Sequence, residues 1–153
     1  KTSTSKSSMV ETLLHFANWS IDKYAIDYLV ILQPTSPLRT KNDINSAIKL
    51  TLKNRYKSLF SISESVEHPY EAIDLYKKNS WKYVLKDSNK FYRRQDFDIN
   101  SYFINGAIYI ISKNYLIKNK SIISNKHGLY QMSKSRSLDI NDKDDLIIAK
   151  KIL

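Results

Sequence analysis

Apolar side chains recur at three- and four-residue intervals at Met9, Leu13, Phe16 and Ala17, with Leu14 beside them and Ser7-Ser8 just ahead. That spacing predicts a helix from about Met9 to Asn18 with a serine cap. Tyr28 to Leu32 is apolar without alternation, as expected of a strand covered on both faces. Pro34 and Pro37 then remove two backbone donors, so the ladder cannot continue through Pro34-Thr-Ser-Pro37. Ile44, Ala47, Ile48 and Leu52 mark a second helix, for which Asn42 and Asp43 are capping candidates. Leu59 to Ser63 reads as a second short strand. Helix, strand, loop, helix, strand is α/β grammar, whose default is a mostly parallel sheet with right-handed crossovers.

From Glu67 to Phe103 the pattern changes. Ala72 to Tyr76 and Trp81 to Leu85 are aromatic-rich strand candidates around the polar turn Lys77-Lys78-Asn79-Ser80, a hairpin inserted into α/β text. A chargeable stretch, Lys90 to Asp98, leads into Asn105-Gly-Ala-Ile-Tyr-Ile-Ile111, another buried-strand run. Tyr115 to Ile123 fits helix and strand equally. Asp142 or Lys143 to Leu153 reads as a closing helix with Leu146, Ala149 or Lys150, and Leu153 on one side.

Composition narrows the class. The 153 residues carry 25 Lys plus Arg against 15 Asp plus Glu, a net charge of +10, yet the lysines are spread along the chain. A nucleic-acid binder concentrates such charge on one face or tail, so nucleic acid is not the expected partner. A basic surface can still raise the local concentration of a phosphorylated or carboxylated small substrate. The absence of Cys excludes a disulfide scaffold and a thiolate metal site, and is compatible with a reducing, cytoplasmic location. No apolar run approaches the roughly 20 residues of a membrane span, and Lys1 to Ser8 lacks the apolar core of a secretory signal. One domain, residues 1–153, is expected.

Chemistry concentrates in two places. The loop Gln33 to Thr40 follows the first strand, and ligands of open α/β sheets bind at the carboxyl ends of strands. It offers an amide, hydroxyls and the Arg39 guanidinium; the plain alternative is a stiff connection whose Arg39 pairs with a surface acid. In Asp139-Ile-Asn141-Asp142, alternation puts Asp139 and Asn141 on one side of an extended segment, giving hard oxygen ligands suited to Mg²⁺ beside substrate phosphates. Asp142 to Asp145 are explained by a helix N-terminus alone; Asp139 is not. His15, His68 and His127 have no ligand-like spacing, and zinc is not expected. His15 reads as a helix-surface residue and His68 as a loop histidine. With Gly only at 106 and 128, neither a hydrolase nucleophile elbow nor a Gly-rich phosphate cradle fits within these residues.

Leu32-Gln-Pro-Thr-Ser-Pro-Leu-Arg39-Thr40 with Asp43-Ile44, then His68-Pro69-Tyr70, Arg93-Arg94-Gln95-Asp96, Asn105-Gly-Ala-Ile-Tyr109 and Ser137-Leu-Asp139-Ile140 with Asp145-Leu146 occur in order. Together, from about Ser7 to Leu153, they resemble the acylneuraminate cytidylyltransferases, the CMP-sialic acid synthetases. The resemblance implies a nucleotidyltransferase-type, Rossmann-like fold and a homodimer built by a protruding excursion, here residues 67–103. It implies Mg²⁺-dependent transfer of CMP from CTP to the anomeric hydroxyl of a nonulosonic acid. By the same resemblance Gln33 contacts the sugar or its acyl group, and Ser8 lies at the cytidine end. Arg94 holds the sugar carboxylate, Asn105 and Tyr109 shape the sugar pocket, and Asp139 holds the metal with Asn141 as an auxiliary ligand. Arg39 belongs to the substrate-binding loop, and Asp139 and Arg94 are the residues assigned to catalysis.

Departures accompany the match. Asn141 stands where the family usually has a second Asp, Phe103 where an Arg is frequent, Glu71 where a Lys or comparable residue follows the His-Pro step, and Ile122-Ile123 where some members carry an aromatic pair. Sugar specificity toward legionaminate or another relative is one consequence. Nothing before Ser7 resembles the family's first strand and basic triphosphate loop, so the sequence is expected to be the N-terminally truncated part of a longer enzyme, without turnover alone. The rival expectation is a non-catalytic basic module that contacts a polyanion.

Overall fold

The computed structural model describes residues 8–21, 23–86, 88, 93, 97 and 100–153. Arg94 and most of the stretch Lys90 to Asp98 lie outside the described residues. Helix α1 spans Met9–Trp19, and its serine cap forms as expected. The Ser8 hydroxyl accepts from the Glu11 amide at 3.2 Å while the Glu11 carboxylate accepts from the Ser8 amide at 3.0 Å. Strand β1 is Tyr28–Ile31, helix α2 Lys41–Asn54, strand β2 Ser58–Glu64 and strand β5 Tyr102–Ser112. Between β2 and β5 lies the hairpin of β3 (Ile73–Lys77) and β4 (Ser80–Tyr83), turned through Asn79 at φ 64°. Helix α3 (Lys113–Asn119), strand β6 (His127–Gln131) and helix α4 (Lys143–Ile152) complete the chain. No helix among the described residues is long and apolar enough to cross a membrane.

The main sheet has the order β1-β5-β2-β6. Helix α2 covers one face through Ala47, Leu59, Ile108, Ile110 and Met132. On the other face Ala17 of α1 and Leu116 of α3 pack against Leu29 and Ile111. Adjacent residues Ile110 and Ile111 thus point into different layers, which is why this stretch is apolar without alternation.

The expected mostly parallel sheet is corrected to a mixed one. β1, β2 and β6 share a direction, but β5 runs against both β1 and β2 and separates them. The cause is the excursion: the chain leaves β2 at Glu64 and returns beside it at Tyr102, with the Ser65 amide bonded to the Ser101 carbonyl at 2.9 Å. A strand that returns at the end its partner left needs no crossover and pairs antiparallel.

Two smaller expectations are also corrected. β1 is only partly covered: it contacts both layers through Tyr28 and Leu29, but Val30 is 39% exposed, and among the described residues the strand pairs only with β5, leaving one edge open. The cap of α2 is Thr40 rather than Asn42 or Asp43; Asp43 sits three residues on as the reciprocal partner of a capping box. Strand β6 went unpredicted, because His127-Gly-Leu-Tyr-Gln131 is only five residues long and Gly128 weakens the signal of Leu129 and Tyr130. Tyr115 to Ile123, which fitted either element, is helix as far as Asn119.

Candidate functional site

The carboxyl ends of β1, β2 and β6 lie at one edge of the sheet, where open α/β sheets bind ligands. Two of these ends deliver segments to one cleft: Ser63 and Glu64 finish β2, and the turn Lys134–Arg136 with Ser137 and Asp139 follows β6, while Gln33, after β1, lies against Gly106. A cavity of about 470 Å³ is lined by His68, Phe103, Asn105, Ser137 and Asp139 among others. A neighbouring depression of about 410 Å³ shares Ser137 and Asp139 and adds Lys134 and Asn141.

A bulge in β5 makes the wall. The register runs from Phe60 opposite Tyr109 to Ile62 opposite Ile104, so Ser61 alone faces the segment Asn105 to Ile108. Ser61 is fully buried; its hydroxyl lies 2.6 Å from the Asn105 amide oxygen and accepts from the Ile108 amide at 2.8 Å. Asn105 spends its NH₂ on the Ser137 hydroxyl at 2.9 Å. Gly106 adopts φ +75°, a conformation that glycine enters at little cost, and its missing Cβ leaves room for Gln33, whose Oε1 a Cβ would meet at 2.6 Å. Asn105 and the Ser137–Asp139 segment therefore share the cleft wall, and Gln33 lies beside Gly106, next to Asn105.

The loop after β1 is braced from within. Arg39 Nη1 donates to the carbonyls of Gln33, Ser36 (3.0 Å) and Ala107 (3.4 Å), and burial lowers the guanidinium pKa from its ordinary value. Its partners are backbone oxygens, not the surface acid considered from sequence. The Ile140 amide donates to the Thr35 carbonyl at 2.8 Å and ties this loop to the Asp139 segment.

Asp139 is the chemically distinctive group. Its Oδ1 is buried without a hydrogen-bond partner, an arrangement that costs several kcal/mol in order of magnitude unless a cation or donor arrives. Tyr109 feels that carboxylate: burial first, and the Asp139 charge second, hold its phenol above the usual 10.0. Asn141 is exposed and donates its side-chain amide to the Asp139 carbonyl at 3.3 Å. Asp142 caps α4, accepting from the amides of Asp144 and Asp145 at 2.9 Å each, as the acidic helix start predicted.

No group of three or more His, Cys, Asp or Glu side chains among the described residues could enclose a metal ion. A single carboxylate with one adjacent amide still fits Mg²⁺, which keeps several waters and takes its remaining ligands from substrate phosphates. The unpartnered Oδ1 of Asp139 is the observation that makes the fit.

Ser8 occupies the α1 cap, whereas Asn105, Ser137 and Asp139 share the cleft wall. His15 is exposed on α1, and His68 caps the short turn Pro69–Glu71, both as expected. Sequence reasoning gave Ser61 and Ser137 no role and took Asp43 for a capping candidate rather than a buried, multiply bonded carboxylate. The Thr40-x-x-Asp43 spacing is a capping-box signal that could have found the last.

No family model matches the chain. It is 36% identical over 118 residues to the N-acylneuraminate cytidylyltransferase of Streptococcus agalactiae serotype III, a match covering 77% of this chain and 28% of that protein. With the N-acylneuraminate cytidylyltransferase of Escherichia coli O18:K1:H7 the identity is 30% over 148 residues, 95% of this chain and 34% of the relative. With the CMP-N,N'-diacetyllegionaminic acid synthase of Legionella pneumophila it is 31% over 136 residues, 83% and 54% respectively. The chain thus spans between about a quarter and about half the length of these relatives.

Proposed function

We propose that this chain, which belongs to the acylneuraminate cytidylyltransferases, carries the cleft in which CMP is transferred from CTP to N-acetylneuraminate or a related nonulosonic acid. The anomeric hydroxyl oxygen, giving up its proton to solvent, attacks the α-phosphorus, the bond from that phosphorus to the bridging oxygen breaks, and pyrophosphate leaves with the electron pair. Negative charge grows on phosphoryl oxygens during this step, so fixed positive charge and donors stabilise it most. Mg²⁺ held by Asp139 and Asn141 would supply Lewis-acid charge stabilisation there.

The buried, unpartnered Oδ1 of Asp139 beside Asn105 and Ser137 carries this reading. By resemblance Gln33, seated on Gly106, takes the sugar's polar groups and Tyr109 shapes the sugar pocket, while Asn105 lines the cavity itself. Arg39 and Asn105 act largely by holding backbone and loop in place, since their hydrogen bonds run to the protein. Arg94 is assigned the sugar carboxylate by resemblance. The exposed hairpin, with Leu75 at 70% and Trp81 at 52%, suits a homodimer contact through residues 67–103. CTP as donor makes the cytoplasm the site of action.

Titration of the chain with CTP, Mg²⁺ and N-acetylneuraminate, followed through its amide NMR signals, tests the reading. Saturable shifts at Asn105, Ser137 and Asp139 are expected, and Asp139→Asn should abolish their Mg²⁺ dependence. Shifts confined to the opposite edge around Lys57 and Asn114, or none at all, would overturn it.

A further inference from the structure

One buried carboxylate ties together the two segments that form the candidate site. Asp43, in the first turn of α2, is 1% exposed. It accepts from the Thr40 amide at 2.8 Å, the Thr40 hydroxyl at 2.7 Å and the Tyr130 phenol at 3.1 Å. Arg136 adds a two-point bond, Nε at 3.1 Å and Nη2 at 3.2 Å. The Thr40 bonds are all that a capping box requires. Arg136, 93 residues further along the chain, has another effect.

A forked guanidinium–carboxylate pair fixes orientation as well as distance. It therefore fixes the turn Lys134–Arg136, which leads directly into Ser137 and Asp139. On the far side, the Ile140 amide is bonded to the Thr35 carbonyl. Asp139 is strung between two anchors, both set on the single unit formed by the Gln33–Thr40 loop and the start of α2. Within that span the Asn105–Ser137 bond is the third restraint, and Asp139 Oδ1 is left without one.

We propose that Arg136 is a positioning residue for Asp139: its fork on Asp43 holds the 134–140 segment so that the Asp139 carboxylate stays at the cleft wall, and thereby sets that carboxylate's affinity for a divalent cation. The inference rests on the reading above that Asp139 is a cation ligand. Arg136 touches neither substrate nor metal and acts only through the segment it anchors.

Mn²⁺ is the probe, titrated into the 153-residue chain with the free ion counted by electron paramagnetic resonance. Asp139→Asn should lose saturable binding. Arg136→Lys keeps the charge but not the fork, and should bind Mn²⁺ roughly tenfold more weakly, with Arg136→Gln weaker still, toward roughly a hundredfold, the range for groups that orient metal ligands. Leu116→Val, in the core beneath α1, is the stability control; it lowers the melting temperature and keeps the parent affinity. Folded Arg136→Lys with the parent's Mn²⁺ affinity overturns the proposal and leaves the cation reading standing. An Asp139→Asn chain that binds like the parent, or a parent that takes up no Mn²⁺, overturns both. If Arg136→Gln does not fold, Arg136→Lys decides alone.

Discussion

Replacing Gly106 by Ala separates backbone strain from site geometry, because the two consequences fall on different observables. At φ +75° an L-residue is disfavoured by about 1–2 kcal/mol. Ala also narrows the unfolded ensemble, which returns about 0.4–1 kcal/mol. The net loss is then about 1 kcal/mol, or a fall in melting temperature of about 2–4 °C for a chain of this size. The new Cβ would also lie 2.6 Å from Gln33 Oε1. That oxygen ends a flexible side chain, so the clash adds little to the stability loss; it moves Gln33 off its seat on Gly106. Urea unfolding followed by the fluorescence of Trp19 and Trp81 measures the first effect, and a double-mutant cycle with Gln33→Ala isolates the second. Most of the cost should persist in the Gln33→Ala background. A cost that vanishes there, or a Gly106→Ala chain as stable as the parent, would refute the assignment of strain to the backbone. Gly128→Ala is the counterpart: its φ is not in the positive region, but a Cβ would run into the Tyr56 ring, so overpacking of about 1–3 kcal/mol is expected with the cleft untouched.

Burial raises the Asp43 pKa, but the bonds from Thr40, Arg136 and Tyr130 prevail and hold it below its usual 3.8. A depressed carboxylate contributes stability above its unfolded value that is lost as pH falls through the folded one; urea unfolding should therefore show the parent losing its advantage over Asp43→Asn as pH drops below about 4, from about 2 kcal/mol at pH 7. The exposed hairpin predicts self-association at tens of micromolar that Leu75→Ser with Trp81→Ser abolishes; a parent that sediments only as monomer refutes it.

Much of this architecture was legible because local pattern and tertiary role coincide. The serine cap of α1, the proline stop after β1, the Ile110–Ile111 core strand and the acidic start of α4 each follow from side chains that act on their immediate neighbours. The direction of β5 was not legible, since apolar runs of either direction look alike when both faces are covered. What decided it was the excursion returning beside Glu64, a long-range event. In the site, the motif residues Asn105, Ser137 and Asp139 share one cavity wall, and Gln33 lies beside Gly106. Ser61 stayed hidden because a buried serine in a strand signals nothing until a bulge puts four residues opposite it.

The hydrogen bonds divide the motif residues into scaffold and chemistry. Asn105 gives its oxygen to Ser61 and the Ala107 amide and its NH₂ to Ser137, Arg39 Nη1 serves three carbonyls, and Asp43 is saturated by Thr40, Tyr130 and Arg136. Groups so committed are costly to redirect toward a ligand, because each redirected bond leaves a buried partner unsatisfied at about 1–3 kcal/mol. Their value is rigidity. Among the described residues, buried side-chain oxygens without partners occur only at Ser36, Ser65, Ser88 and Asp139, and of these only the Asp139 atom belongs to a carboxylate. A site that turns its amide, guanidinium and buried aspartate inward while leaving one carboxylate oxygen unmet is organised around what that oxygen binds. The polar scaffold then fixes where that oxygen sits, at the wall of the 470 Å³ cavity that Phe103 and Asn105 also line.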